Sequence, residues 1–156
     1  MVRKYQDSDF SDVSFLNESS YENPCTESEL RAKLANPAWV WESDAVLGCL
    51  ITSPDTEARD ILDRGRILVW SVTVAAPFRG QGIGAALLRE ASKHFLALYL
   101  YVETTSPAKN LYTREGFKVE KYLHEYYGPN QHAYLMRKGC RINDVDVRTE
   151  DRQSFA

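Results

Sequence analysis

The sequence predicts a mixed α/β (α+β) domain: one mostly antiparallel, twisted sheet of about seven strands with a parallel pair at its centre and helices against it. Three observations carry that prediction. Ile67–Val74 (ILVWSVTV) is a short apolar, β-branched run closed off by Pro77, which marks a buried strand. After it, Ile83, Leu87, Ala91 and Phe95 fall on one face at helical spacing with Leu88 beside them, while Arg89, Glu90 and Lys93 point away. Then Leu98–Glu103 (LYLYVE) alternates and reads as a second strand. Strand, helix and strand over about forty residues form a βαβ unit with parallel strands and a right-handed crossover.

The flanking segments supply the antiparallel strands. Val2–Gln6 opens as a short strand, and Asp7 or Ser8 caps a helix carrying Phe10, Val13, Phe15 and Leu16. Asn23-Pro24 breaks it. Thr26-Glu27-Ser28-Glu29 is a capping-box pattern, so a second helix runs to about Ala35, where Asn36-Pro37 stops it. Trp39–Glu42 and Ala45–Thr52 form a hairpin, with Trp39 and Trp41 on one face. Ser53–Arg66 reads as a loop with a helical turn around Ala58–Leu62. Beyond Glu103, Thr104-Thr105-Ser106 cap a helix with Pro107 in its first turn; it runs to Glu115, with Gly116 at its C-terminal stop. Phe117–Tyr127, a Gly128-Pro129-Asn130 turn and Ala133–Arg137 close the pattern as a second hairpin. The tail from Gly139 is polar, with Val145 and Val147 alternating, and suits an added edge strand or a contact with a second subunit in a homodimer.

Composition bounds the class. A chain of 156 residues, 44% hydrophobic and 26% charged, is one domain with a real core. The expected division is 1–66 as one half of the domain, 67–138 as the half built on the βαβ unit, and 139–156 as a polar C-terminal extension. A net charge of −3 and a pI near 5.6 argue against a nucleic-acid partner. No basic-then-apolar leader opens the sequence, and no apolar run approaches the ~18 residues a membrane span needs, so no membrane role is expected. Cys25, Cys49 and Cys140 are widely separated, without a C-x-x-C pair, which suits free thiols in a cytoplasmic protein and no metal site. Asp7, Asp9, Asp12, Glu18, Glu22, Glu27 and Glu29 crowd the N-terminal part, either as solvated helix faces or as an acidic mouth for a cationic amine.

Function enters through Arg79-Gly80-Gln81-Gly82-Ile83-Gly84, between the central strand and its helix. The first amides of a helix lack partners and carry the positive end of its dipole. Glycines there let backbone approach a ligand, and Arg79 adds a cation, which together make a pyrophosphate cradle. The plain alternative is that the glycines only turn the chain. A P-loop is excluded because no Gly-Lys-Ser/Thr follows. Gly80–Ala85 does fit the G-x-G-x-x-A of a dinucleotide fold, with Glu103 where a ribose-binding acid stands. Five residues, Ala75 to Arg79, nonetheless separate strand from first glycine, and too little chain remains for a six-stranded sheet.

The stretch Val72-Thr73-Val74-Ala75-Ala76-Pro77-Phe78-Arg79-Gly80-Gln81-Gly82-Ile83-Gly84 resembles the acetyl-CoA-binding segment of the GNAT (GCN5-related) N-acetyltransferases, with its Q/R-x-x-G-x-G/A signature. Asn110-Leu111-Tyr112-Thr113-Arg114-Glu115-Gly116-Phe117 resembles the L-Y-x-x-x-G-F helix end of the same family. The two matches stand in the family's order and spacing and cover roughly residues 67–138. The resemblance implies acetyl-CoA as cosubstrate, with pantetheine lying along the first of two splayed central strands, bonded to backbone at Val72 and Val74 beside Thr73. It implies a phosphate loop of Arg79, Gly80, Gln81, Gly82, Ile83 and Gly84, and Tyr112 as the acid that protonates the leaving thiolate.

Chemistry adds the rest. A backbone N–H, that of Val74, suits the oxyanion of the thioester. An attacking amine must be neutral, so a base is needed; Ile67–Val74 holds no carboxylate, and Glu103 is the candidate, either as base or as a structurally paired strand-end acid. Asn110 and Lys109 open the helix that bears Tyr112 and are placed to bind pantetheine or phosphate. Tyr126 and Tyr127 resemble the substrate-holding hairpin of protein N-terminal acetyltransferases, although small-molecule enzymes carry similar tyrosines. The acceptor is therefore a small amine or a peptide N-terminus, attacking directly in a ternary complex. A non-catalytic acyl-CoA sensor is the alternative from another class.

Overall fold

The computed structural model describes residues 1–56 and 65–139. The helical turn expected around 58–62 and the tail beyond 139 lie outside them. The elements in chain order are β1 (Val2–Lys4), α1 (Phe10–Ser20), α2 (Glu27–Leu34), β2 (Ala38–Glu42), β3 (Val46–Pro54), β4 (Ile67–Val74), α3 (Ile83–Ser92), β5 (Ala97–Glu103), α4 (Ala108–Arg114), β6 (Lys118–Gly128) and β7 (Gln131–Gly139). The strands form a seven-stranded sheet in the order β1-β2-β3-β4-β5-β7-β6. Every pairing is antiparallel except β4 with β5. The expected fold class holds.

Period-two alternation sorts the strand side chains into two cores. Trp39, Leu50, Val69, Leu98, Leu100 and Val102 pack with Ile83, Leu87, Leu88 and Ala91 of α3 on one face. Val40, Cys49 and Ile51 pack with Val13, Leu16, Leu30 and Leu34 of α1 and α2 on the other. The capping box at Thr26 forms as expected: its Oγ1 accepts from the Glu29 N–H at 3.3 Å, and Glu29 accepts from the Thr26 N–H at 3.0 Å. Phe15 departs from its expected place on the apolar stripe and is 68% exposed. Two residues beyond the buried Val13, it is turned about 200° round the helix. Three of the seven N-terminal acids are committed, Asp9 to Arg3, Glu27 to Arg31 and Glu29 to the cap of α2.

Two irregularities shape the centre. Between β3 and β4 the register passes from Ile51↔Ser71 to Thr52↔Val69, so Trp70 is an extra residue that bulges β4. β4 then meets β5 at one registered pair, Leu68↔Tyr99, and the strands part beyond it. The second hairpin also folds differently from its linear order: β7 inserts between β5 and β6. Its partner β6 slips register between Leu123 and Gly128, with Glu125 at φ 50°. Tyr126 and Tyr127 leave the ladder there.

Candidate active site

β4 forms the shared wall of two clefts. The first, about 1000 Å³, opens where β4 and β5 part and is lined by Val72, Thr73, Val74, Arg79, Gly80, Gly82, Ile83, Gly84 and Tyr112, among others. The Ala75 N–H donates to the Leu47 carbonyl at 2.8 Å, so residue 75 faces β3. Alternation turns the N–H and C=O of Val72 and Val74 to the opposite, unpaired edge. There the Val74 carbonyl accepts from Arg79 Nε at 3.0 Å.

At the mouth of α3 the glycines meet a backbone demand. Gly80 and Gly82 have φ of 79° and 86°, and a Cβ on either would meet nothing within 4 Å. The space beside them belongs to no protein atom. Gly84 is different: its Cβ would touch Leu111 Cδ2 at 3.4 Å, so it serves the approach of α3 to α4. The first bond into the helix runs from the Ala86 N–H to the Gly82 carbonyl. Amides 80–85 make no hydrogen bond among the described residues, and Gly80, Gly82, Ile83, Gly84 and Ala85 line the cleft. Arg114, also on the cleft, has no ion-pair partner among them, whereas Arg89 is held by Glu115 through bonds of 2.8 and 2.9 Å. This loop fits a diphosphate: unpaired amides, two cations and room without Cβ atoms.

Tyr112 stands on α4 against the ring of Phe117, centroids 6.0 Å apart, and its hydroxyl has no hydrogen-bond partner among the described residues. Burial, with a smaller push from Tyr21, raises its phenol to about 12. Asn110 does not join it. Ala108, Leu111, Tyr112 and Glu115 share the cleft face at helical spacing, while Asn110 lies off that face and is exposed. Ser106, whose Oγ accepts from the Ala108 N–H at 3.2 Å, takes a place on the cleft instead. The Gln81 side chain is exposed at the loop tip.

The second cleft, about 660 Å³, lies along the same strand and is lined by Lys33, Ser53, Asp55, Trp70, Tyr101, Tyr126 and Tyr127, among others. Because residues 124–127 leave the β6 ladder, Tyr126 stacks on Tyr101 with centroids 4.8 Å apart, and Tyr127 meets Tyr126 edge-on at 5.0 Å. The Tyr101 hydroxyl donates to Asp55 Oδ2 at 2.8 Å. Asp55 is fully buried, also accepts from Arg66 at 3.3 Å, and leaves Oδ1 without a hydrogen bond among the described residues. Burial and then the Asp55 carboxylate push the Tyr101 phenol well above its ordinary value. Burial lifts the Tyr127 phenol to about 12, and the charges of Tyr126, Glu103 and Tyr112 add to it.

Both clefts border β4, the second at residues 68–70 and the first at residues 72–74. Tyr21, from the α1–α2 connection, bonds Ser71 of β4 at 2.7 Å and lines the first cleft beside Tyr112. Glu103 sits exposed at the end of β5, its Oε1 accepting from Thr105 Oγ1 at 3.4 Å. Tyr126 and Tyr127 thus share the second cleft with Asp55 and Tyr101, Tyr112 lines the first with Tyr21, and Glu103 is among the lining residues of neither; the sequence did not single out Tyr21, Asp55 or Tyr101. Among the described residues, no cluster of three or more His, Cys, Asp and Glu could hold a metal ion.

A family model described as an acetyltransferase (GNAT) domain matches residues 35–119, more than half of the chain. The chain belongs to the GNAT acetyltransferase family. Over 83 residues it is 37% identical to an N-alpha-acetyltransferase of Sulfurisphaera tokodaii, an alignment covering 49% of this chain and 48% of that one. The chain thus spans about half the length of that curated relative. An uncharacterized N-acetyltransferase of Methanocaldococcus jannaschii is 26% identical over 149 residues, covering 88% of this chain and 90% of the other. The fold is shared with Arabidopsis thaliana NAA60, solved in complex with acetyl-CoA (TM-score 0.74, 19% identity, 90% and 99% covered). It is shared too with the ribosomal-protein-S18-alanine N-acetyltransferase from Escherichia coli (TM-score 0.72, 17% identity, 90% and 95% covered).

Proposed function

We propose that this protein moves the acetyl group of acetyl-CoA onto the N-terminal amine of a peptide or protein by direct attack in a ternary complex. One observation carries the reading: the β4–β5 parting and the unpaired amides of residues 80–85 lie along one cleft, while a second, tyrosine-lined cleft reaches the same strand from another side. The names of the relatives, N-alpha-acetyltransferase among them, support the choice of acceptor.

In this reading the diphosphate binds amides 80–85 with Arg79 and Arg114, and the pantetheine arm pairs with the free edge at Val72 and Val74. The Val74 N–H donates to the thioester oxygen as negative charge develops there. The acceptor amine enters between Tyr126, Tyr127 and Tyr101 and gives up its proton to Glu103 through water. Its nitrogen bonds to the carbonyl carbon, the C–S bond breaks with the electron pair leaving on sulfur, and the nitrogen's second proton passes through water to the phenolate left when Tyr112 protonates the thiolate. Tyr112, kept protonated by burial, donates its O–H to that thiolate.

Thermal-shift assays test the donor site: CoA raises the melting temperature and NAD does not. Protection by NAD alone would replace this reading with a dinucleotide site. Turnover of N-terminal peptides and small amines with acetyl-CoA then tests the acceptor. Acetylation of small polyamines alone would end the N-terminal assignment, and CoA binding without any thioester loss would favour a sensor.

A further inference from the structure

We infer that the second cleft selects acceptors bearing a carboxylate beside the amine, an acidic side chain at the first or second position, and that Lys33 is the residue that reads it. The inference rests on the N-terminal acceptor proposed above. Lys33 is half-buried on α2, one residue before that helix ends, and it lines the cleft with Tyr101, Tyr126 and Tyr127. Its ammonium donates to Ser53 Oγ at 3.1 Å and sits 5.2 Å from the Trp70 ring centroid. It has no carboxylate partner among the described residues.

The other charges near the cleft are already matched. Asp55 is fully buried and neutralised by Arg66, with the Tyr101 hydroxyl on the same oxygen. The neighbouring α2 cation, Arg31, pairs with Glu27 and lies over the Phe10 ring. Among the described lining residues, Lys33 is left as the one ionic group whose charge nothing balances. Two of its three N–H directions remain for a ligand once Ser53 is satisfied. Half-buried beside Trp70, the ammonium is screened less than one on open surface, so a charge pair formed there is worth more. The bulge that makes Trp70 the extra residue of β4 goes with its ring lying 5.2 Å from the ammonium.

An alternative role is structural: the lysine stem packs on Trp70 and its tip merely finds Ser53. The experiment separates the two. Peptides beginning Ser-Glu, Ser-Gln and Ser-Lys, with their Glu-Ser, Gln-Ser and Lys-Ser counterparts, are acetylated by the parent chain and by Lys33→Met and Lys33→Glu. Lys33→Met keeps an apolar stem over Trp70, and melting temperatures report whether each variant folds. At one of the two positions the parent should prefer the acidic over the neutral peptide by about tenfold in kcat/KM, the size expected of one partly shielded charge pair. Lys33→Met should bring that ratio to about one, and Lys33→Glu should favour the basic peptide. Equal parent rates on acidic and neutral peptides overturn the inference alone, as does a preference that survives in a folded Lys33→Met. Turnover of small amines with no peptide turnover overturns it together with the N-terminal reading.

Discussion

With its phenol pushed up to about 12, Tyr112 stays protonated through the physiological range and is always ready to donate. On the proposed reading, a phenol that weak as an acid stabilises the departing sulfur by hydrogen bonding before the proton crosses. Tyr112→Phe keeps the ring against Phe117 and removes only the donor. We expect kcat to fall about a hundredfold or more, while CoA still protects the variant from heat; unchanged kcat would take Tyr112 out of the chemistry. Tyr112 was legible as a candidate only through the resemblance of residues 110–117 to the family's helix end. Asp55 was not. Its partners Arg66 and Tyr101 lie 11 and 46 residues away, and Pro54-Asp55 reads locally as a loop. Asn110 shows the converse failure: its place at the start of the helix was legible, but which face it took depended on where α4 met the sheet.

The α3 entrance places a backbone requirement in the binding loop. Gly82 precedes α3 at φ 86°, and no protein atom would obstruct a methyl there. Gly82→Ala should cost about 1–2 kcal/mol through left-handed backbone strain, measured by urea unfolding. CoA affinity should fall in titration calorimetry, because the new Cβ projects into space that the phosphates would occupy. Undiminished affinity would put the diphosphate elsewhere. Local signals marked the seven strands and four α-helices of the described residues: helical spacing for α3, alternation for β5, an apolar run for β4, and caps and stops for α2 and α4. Strand order was harder: β7 lies between β5 and β6, a long-range pairing. The slip after Leu123 that swings Tyr126 onto Tyr101 likewise leaves no mark in the hydrophobic pattern.

The whole molecule's acid tolerance depends on how its sheet edge is fastened. Arg3 of edge strand β1 holds Asp9, at the threshold of α1, with bonds of 2.8 and 2.9 Å, and Glu42 of β2 at 2.7 Å. The Arg3 hydrogen bonds, against the opposing effect of burial, keep the Asp9 carboxyl below its ordinary value of 3.8. A carboxyl so depressed stabilises the fold above its ordinary value and loses that contribution as pH falls through the depressed one. Asp9→Asn should therefore melt below the parent at pH 7, the gap closing under about pH 4. A gap that stays constant with pH would show that packing, not charge, is what Asp9 contributes.

The edge of β4 beyond Leu68 has a consequence for the protein's lifetime. A sheet with a gap at its centre lacks a rung, and on the proposed reading the acyl donor supplies it. Donor at about a hundred times its Kd would add about 2.7 kcal/mol to folding stability. Starved of donor, the same chain would open more often, so its resistance to proteases would rise and fall with the supply of its own reagent.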